Sequence, residues 1–199
     1  NLTGILTHAG QAYHGPQDGE SKADALRRAG REERDRMLEV AVRLDEAGCE
    51  GVHPDTFEVS IGSTPSLTHF ENAEREGFRI TEIRPGNYVF NDAMQVDLAS
   101  AELDDCALSV YTTVVSKRRD PSGTERVYVD AGKKVVTTDQ GPGMDRYGTV
   151  LYNARYMRAH PHAVVTDLSE EHGWMRVPGG ATFGVGDRLR IVPNHACVT

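Results

Sequence analysis

His195-Ala196-Cys197 sets an imidazole and a thiol two positions apart, and on an extended segment two such side chains leave the same face. Together they form a borderline-soft pair suited to Zn²⁺, with two protein ligands leaving coordination positions open for water or substrate. A packed cysteine beside a hydrogen-bonded histidine accounts for the same residues. Gly62-Ser63-Thr64-Pro65 combines backbone freedom, two hydroxyls and free amides at a helix start, which are the parts of a phosphate cradle or of a plain strand-to-helix turn. Arg84-Pro85-Gly86-Asn87 offers a second exposed glycine backbone and a permanent positive charge, or a turn with a surface arginine. His8 and Tyr13 flank a glycine-containing loop and suit acid–base work. Glu171-His172 reads as a further metal ligand, as a group that orients one, or as a turn. His14, His53, His69, His160 and His162 read as surface or loop histidines.

The elements that must position these groups follow from patterning. Leu2 to Thr7 reads as a short buried strand. A helix starts at Ser21, an N-cap with Asp24 three positions on, and ends at Gly48; Leu26, Ala29, Met37, Val40, Ala41 and Leu44 form its apolar stripe, and its charged remainder is a solvated face. Glu58 to Ile61 reads as a strand, Gly62 to Pro65 as a turn, Glu71 to Arg75 as part of a short helix, and Ile80 to Ile83 as another strand. Strand, glycine turn and helix in repetition predict a parallel α/β sheet, with functional loops after residues 7, 61 and 83. Beyond residue 105 the pattern changes to Leu108–Ser116, Arg126–Asp130, Val164–Leu168 and Arg188–Pro193, β-type runs with Asp120-Pro121-Ser122-Gly123 and Gly184-Val185-Gly186-Asp187 as turns. The boundary is expected near residues 98 to 106, with an α/β domain over 1–100 and a β-rich domain over 101–199.

Composition narrows the function classes. A formal net charge of −8 argues against a nucleic-acid partner, and the one basic cluster, Lys117 to Arg119, reads as a solvated turn. No apolar run approaches the roughly 20 residues that span a bilayer. Three cysteines at wide spacing, Cys49, Cys106 and Cys197, suit a reducing, cytoplasmic compartment better than a disulfide framework. Residue 1 opens straight into a strand-like stretch without a methionine, so the sequence reads as part of a longer protein.

Taken in order, His8-Ala9-Gly10-Gln11-Ala12-Tyr13, Ser60-Ile61-Gly62-Ser63-Thr64-Pro65, Arg84-Pro85-Gly86-Asn87-Tyr88-Val89-Phe90, Val129-Asp130-Ala131-Gly132, Ser169-Glu170-Glu171-His172-Gly173 and Pro193-Asn194-His195-Ala196-Cys197 resemble the metal-activated pyridoxal enzymes of the D-serine dehydratase and D-threonine aldolase family. The matches span nearly the whole chain. The resemblance implies the later part of an alanine-racemase-like (α/β)8 barrel followed by a β-rich C-terminal domain, paired into a homodimer. It implies that Ser63, Thr64, Gly86 and Asn87 hold the phosphate of pyridoxal 5'-phosphate, that Arg84 faces the pyridine nitrogen, that Tyr13 lies beside the cofactor, and that His195 and Cys197 hold Zn²⁺, or Mn²⁺ or another divalent metal. The implied activity is elimination of water from a D-3-hydroxy-amino acid such as D-serine, with retro-aldol cleavage of D-threonine type, or a metal-free racemase or cofactor carrier of the same fold, as alternatives. The lysine that such enzymes link to the cofactor lies on the first barrel strand in this family. Lys22, Lys117, Lys133 and Lys134 match no such motif, so the isolated 199 residues are expected to be inactive.

Overall fold

The computed structural model describes residues 1–177 and 183–199. It divides into two compact units, Asn1–Tyr88 with Leu98–Ser100, and Val89–Asp97 with Ala101–Thr199.

The first unit is built on β1 (Gly4–Leu6), α1 (Lys22–Glu46), β2 (Glu58–Ile61), α2 (Thr64–Leu67), β3 (Glu74–Arg75), β4 (Phe78–Arg79) and β5 (Glu82–Ile83). The strands β1, β2 and β5 pair in parallel with β2 in the centre. Their ladder runs on past the strand ends through Thr7 N–H to Ser60 O at 3.1 Å and Arg84 N–H to Ile61 O at 2.8 Å. Parallel pairing places the loops after residues 7, 61 and 83 at one end of the sheet, as the strand–turn–helix rhythm predicts. Among the described residues this is a three-stranded sheet and not a closed (α/β)8 barrel.

Helix α1 begins where the sequence places it, the Ser21 hydroxyl accepting from Asp24 N–H at 3.1 Å. Gly48, at φ 66°, takes the left-handed conformation just past its end. The buried stripe is Ala25, Leu26, Ala29, Gly30, Glu33, Met37, Leu38 and Ala41. Val40 falls outside it at 43% exposure, and Glu33 falls inside at 4%. Met37, Leu38 and Ala41 pack with Phe57, Val59, Ile61, Phe78 and Ile80 into this unit's core.

The short helix expected over Glu71 to Arg75 is not formed. The helix in this region is Thr64–Leu67, and Glu74–Arg75 is instead a strand paired antiparallel with Phe78–Arg79. Glu76 (φ 49°) and Gly77 (φ 82°) both adopt positive φ, the requirement of a two-residue hairpin turn. Asn72 holds the arm by donating to Ile80 O at 3.0 Å and accepting from Ile80 N–H at 3.2 Å. Those non-local bonds override the helix propensity of the glutamates and arginine.

The second unit contains α3 (Ala93–Asp97) and six strands: β6 (Val110–Arg119), β7 (Glu125–Val129), β8 (Thr149–Asn153), β9 (Arg158–Leu168), β10 (Gly173–Val177) and β11 (Arg188–Val192). They close into an antiparallel barrel in the order β10-β7-β6-β11-β8-β9. Alternation along β7 and β10 turns Val127, Val129, Met175 and Val177 inward, where they meet Val114, Val136, Val150, Val165 and Ile191. A barrel of this size is filled by side chains, and β-branched residues suit the pleat.

Two expectations change here. Lys117 to Arg119 end strand β6 and do not form a solvated turn; Lys117 and Arg119 reach Glu125 at 3.0 and 2.9 Å, holding its carboxyl below the usual carboxylate range. The turn that follows is Asp120 to Thr124, where one Asp120 carboxylate oxygen accepts from Ser122 N–H at 3.0 Å and Thr124 N–H at 3.1 Å. His160 and His162 lie on strand β9; His162 is exposed, as expected, whereas His160 is half-buried and burial lowers its pKa.

Candidate functional site

In the first unit the loops after β1, β2 and β5 meet through named side chains. The Arg84 guanidinium donates from Nε to Ser60 Oγ at 2.6 Å and from Nη2 to Thr7 O at 2.8 Å, and lies 3.4 Å from Glu82. Ser60 Oγ in turn donates to Glu82. One arginine therefore clamps the tips of all three parallel strands, and part of its donor fork is spent on the protein.

Ser63 takes an extended conformation before α2, with Pro65 in the helix's first turn. Ser63, Thr64 and Asn87 are all buried. The Thr64 hydroxyl accepts from Asn87 N–H at 2.9 Å, so two of the three loops are locked together by residues from both predicted motifs. Gly62 is required by close approach, since a methyl group there would sit 2.6 Å from the Arg84 carbonyl oxygen. Gly86 differs: its φ is not positive and a methyl group would meet no protein atom within 4 Å. A side chain there would meet open space, so close packing does not require glycine at this position.

Sequence reasoning missed Glu33. This carboxylate, buried on α1, accepts from Gly62 N–H at 3.2 Å and from the backbone of Ala9, tying the loop of His8 to the loop of Ser63. Burial raises its pKa, with Gly62, His8, Ala9 and Arg84 acting in the opposite direction. The signal was its place at the i+3 and i+4 spacing of Leu26, Gly30, Met37 and Ala41. His8, exposed, and Tyr13, half-buried, stack with ring centroids 6.0 Å apart and planes 29° from parallel.

In the second unit, His195 Nδ1 lies 2.8 Å from Asp139 Oδ2, which leaves Nε2 for another partner. The segment carrying it is fixed from both sides. Asn194, fully buried, donates from Nδ2 to Asp139 O at 2.9 Å and Arg146 O at 2.7 Å and accepts at Oδ1 from Gly148 N–H at 2.8 Å. Asp92, also fully buried, accepts from Ala196 N–H at 2.9 Å. The extended geometry expected for the His/Cys pair holds only at His195, with φ −135° and ψ 109°; Ala196–Val198 turn into a 3-10 helix. With three residues per turn, the two side chains do not leave one face of a strand as alternation implied. Cys197 is exposed, and partial burial, then the Asp92 carboxylate, push its pKa up.

Among the described residues no group of three or more His, Cys, Asp or Glu is assembled as a metal site. Glu171 and His172 belong to the β9–β10 turn: Ser169 N–H donates to His172 O at 2.8 Å, and Glu171 pairs with Lys134 at 2.5 Å. Lys133 pairs with Glu170 and Lys117 with Glu125. Among the described residues no helix is long and apolar enough to cross a membrane.

Comparison with known proteins gives these motifs a context. Residues 107–199 match the family described as "Putative serine dehydratase domain". The D-threo-3-hydroxyaspartate dehydratase of Delftia sp. is 34% identical over 210 residues, all of this chain and 50% of that protein. D-serine dehydratase of Dictyostelium discoideum is 32% identical over 71% of this chain and 36% of its own length. An uncharacterized protein of Mycobacterium tuberculosis is 34% identical over 56% of this chain and 79% of its length. The chain thus spans about half the length, or less, of the two named dehydratases.

The solved structure of the Delftia enzyme superposes with a TM-score of 0.76 at 32% identity, covering 98% of this chain and 49% of that one. D-threo-3-hydroxyaspartate dehydratase has also been solved as a cysteine-to-alanine variant in the metal-free form and as a histidine-to-alanine variant, the two altered residues lying two positions apart. An alanine-racemase-like protein from Idiomarina loihiensis gives 0.79 at 27% identity over 98% of this chain and 49% of its own. The D-threonine aldolase of Filomicrobium marinum gives 0.64 at 25% over 98% and 46%. The chain therefore belongs to this serine dehydratase family, with D-threo-3-hydroxyaspartate dehydratase and D-serine dehydratase among its relatives.

Proposed function

We propose that these residues form part of a lyase, dependent on pyridoxal phosphate and a divalent metal, that eliminates water from a D-3-hydroxy-amino acid. The observation that carries this reading is the likeness to D-threo-3-hydroxyaspartate dehydratase along the whole chain.

Ser63, Thr64, Gly86 and Asn87 would hold the cofactor phosphate. The Thr64–Asn87 hydrogen bond and the open space at Gly86 support that assignment. His195 and Cys197 would hold the metal, Zn²⁺ being favoured by the thiolate. Their support is the spacing shared with the altered His and Cys of the D-threo-3-hydroxyaspartate dehydratase variants and the engagement of His195 Nδ1, which frees Nε2. When bound, the cofactor supplies an electron sink for the bond broken at Cα, and the metal a Lewis acid for the departing β-hydroxyl. The chain's own contribution is orientation: Arg84 and Glu33 fix the strand-end loops, and His8 and Tyr13 would accept or return a proton. The working form is proposed to be a homodimer in the cytoplasm.

Two further readings keep some support. The aldolase likeness favours retro-aldol cleavage, at a lower TM-score than the dehydratase. The likeness to the Idiomarina protein, described as alanine-racemase-like, bears on the racemase alternative.

The test uses the full-length gene product that carries these residues, assayed with D-serine, D-threo-3-hydroxyaspartate and D-threonine, with and without a chelator. The dehydratase reading expects keto acid and ammonia from one of the first two, lost with chelator and restored by zinc. Glycine and acetaldehyde from D-threonine, or chelator-insensitive racemisation, would replace it.

A further inference from the structure

Resting on the reading of His195 as a metal ligand, we infer that Asp139 is a positioning residue that sets the tautomer and orientation of the His195 imidazole. A neutral imidazole can give a metal only the nitrogen that carries no proton. A hydrogen bond from the other ring nitrogen to a carboxylate decides which one that is, and raises the basicity of the donor. Here Asp139 Oδ2 lies 2.8 Å from Nδ1, so the bond assigns the proton to Nδ1 and the lone pair to Nε2.

The contact is not a chance surface pair. The His195 and Asp139 side chains are 31% and 50% exposed, and an exposed ion pair alone would hold neither ring nor loop. The holding is done by buried groups beside them. Asn194, next to His195 in sequence, binds the main-chain carbonyls of Asp139 and Arg146 and the amide of Gly148 with every bond satisfied by backbone. Arg146 in turn donates from Nη2 to both carboxylate oxygens of Asp97, at 2.8 and 2.9 Å. The loop bearing Asp139 and the segment bearing His195 are thereby stitched together through main-chain atoms, and the Asp139 carboxylate is left to the imidazole. Replacing that carboxylate removes the orienting bond without removing the stitch.

The experiment titrates the full chain with Zn²⁺ against a chromophoric chelator, in wild type, Asp139→Ala, Asp139→Asn and His195→Ala, with the melting temperature of each. It also records imidazole ¹⁵N shifts of the metal-free proteins at pH 8. Asp139→Ala should weaken zinc binding about 10- to 100-fold, move the His195 proton toward Nε2, and leave the melting temperature within a few degrees. Asp139→Asn keeps an acceptor oxygen and should retain the Nδ1–H tautomer while losing part of the affinity. If His195→Ala loses zinc while Asp139→Ala binds as wild type with an unchanged tautomer, the role of Asp139 is refuted and the metal reading stands. If His195→Ala itself binds zinc as wild type does, both fall.

Discussion

The contrast between Gly62 and Gly86 yields the sharpest test of how these loops are built. At Gly62 an added methyl group would lie 2.6 Å from the Arg84 carbonyl oxygen and 2.9 Å from its carbon, where ordinary contact begins near 3.4 Å. Strand β5 would have to retreat by about 0.8 Å, and the Arg84 N–H to Ile61 O bond of 2.8 Å lies in the same ladder. Overpacking of this kind costs about 1–3 kcal/mol, and loss of the ladder bond about 1 kcal/mol more. Gly62→Ala should therefore destabilise by about 2–4 kcal/mol. Gly86→Ala meets no atom within 4 Å at a φ that alanine accepts, so its stability should stay within about 0.5 kcal/mol of wild type. Calorimetric titration with pyridoxal phosphate should nonetheless show Gly86→Ala at least about tenfold weaker, the equivalent of one hydrogen bond to a charged group. Urea denaturation of both variants checks the first half. Equal destabilisation by the two substitutions would refute the steric account, and unchanged cofactor affinity in Gly86→Ala would remove that glycine from the phosphate site.

Three more outcomes are expected. Glu33 has a raised pKa in the folded state, so the folded protein binds the extra proton and its stability falls as pH rises from the ordinary carboxylate range through the folded value. The stability of wild type relative to Glu33→Gln should therefore decline over that window in denaturation series, and a flat or rising difference would contradict the burial argument. Met175→Ala, at a position 1% exposed in the barrel core, should cost about 2–5 kcal/mol by denaturation, and a loss under 1 kcal/mol would mean that the barrel interior is not close-packed there. Burial and the neighbouring Asp92 and Asp105 push the Cys106 thiol up to about 12, so Cys106 should resist iodoacetamide in the native metal-free protein while exposed Cys197 is labelled, as mass spectrometry would show.

What was legible in the sequence was local. The Ser21 cap, the Gly48 stop, strand Glu58–Ile61 and the Asp120 to Gly123 turn each depend on residues within a few positions, and each forms as read. The hairpin at Glu76-Gly77 was not legible, because Asn72 decides it by binding Ile80 across eight positions while Glu71 to Arg75 favour a helix by propensity alone. Strands β8 and β10 do not stand out in the sequence, although β10 alternates cleanly, Trp174 and Arg176 outward and Gly173, Met175 and Val177 inward. In the candidate site, Thr64 and Asn87 stood out as separate turns, and only the fold joins them. By sequence Glu33 reads as part of a solvated face, because its charge outweighs its position on the buried stripe. Asp139 lies 56 positions from His195, a separation that no motif bridges.

The claim on which the functional reading turns is that one imidazole and one thiolate of this chain hold a divalent metal. X-ray absorption at the zinc edge of the zinc-loaded protein measures that directly. The account predicts one sulfur near 2.3 Å and at least one imidazole nitrogen near 2.0–2.1 Å, with the sulfur shell absent in Cys197→Ala. A shell of oxygen and nitrogen alone in the wild-type protein, or a spectrum that Cys197→Ala leaves unchanged, would contradict it.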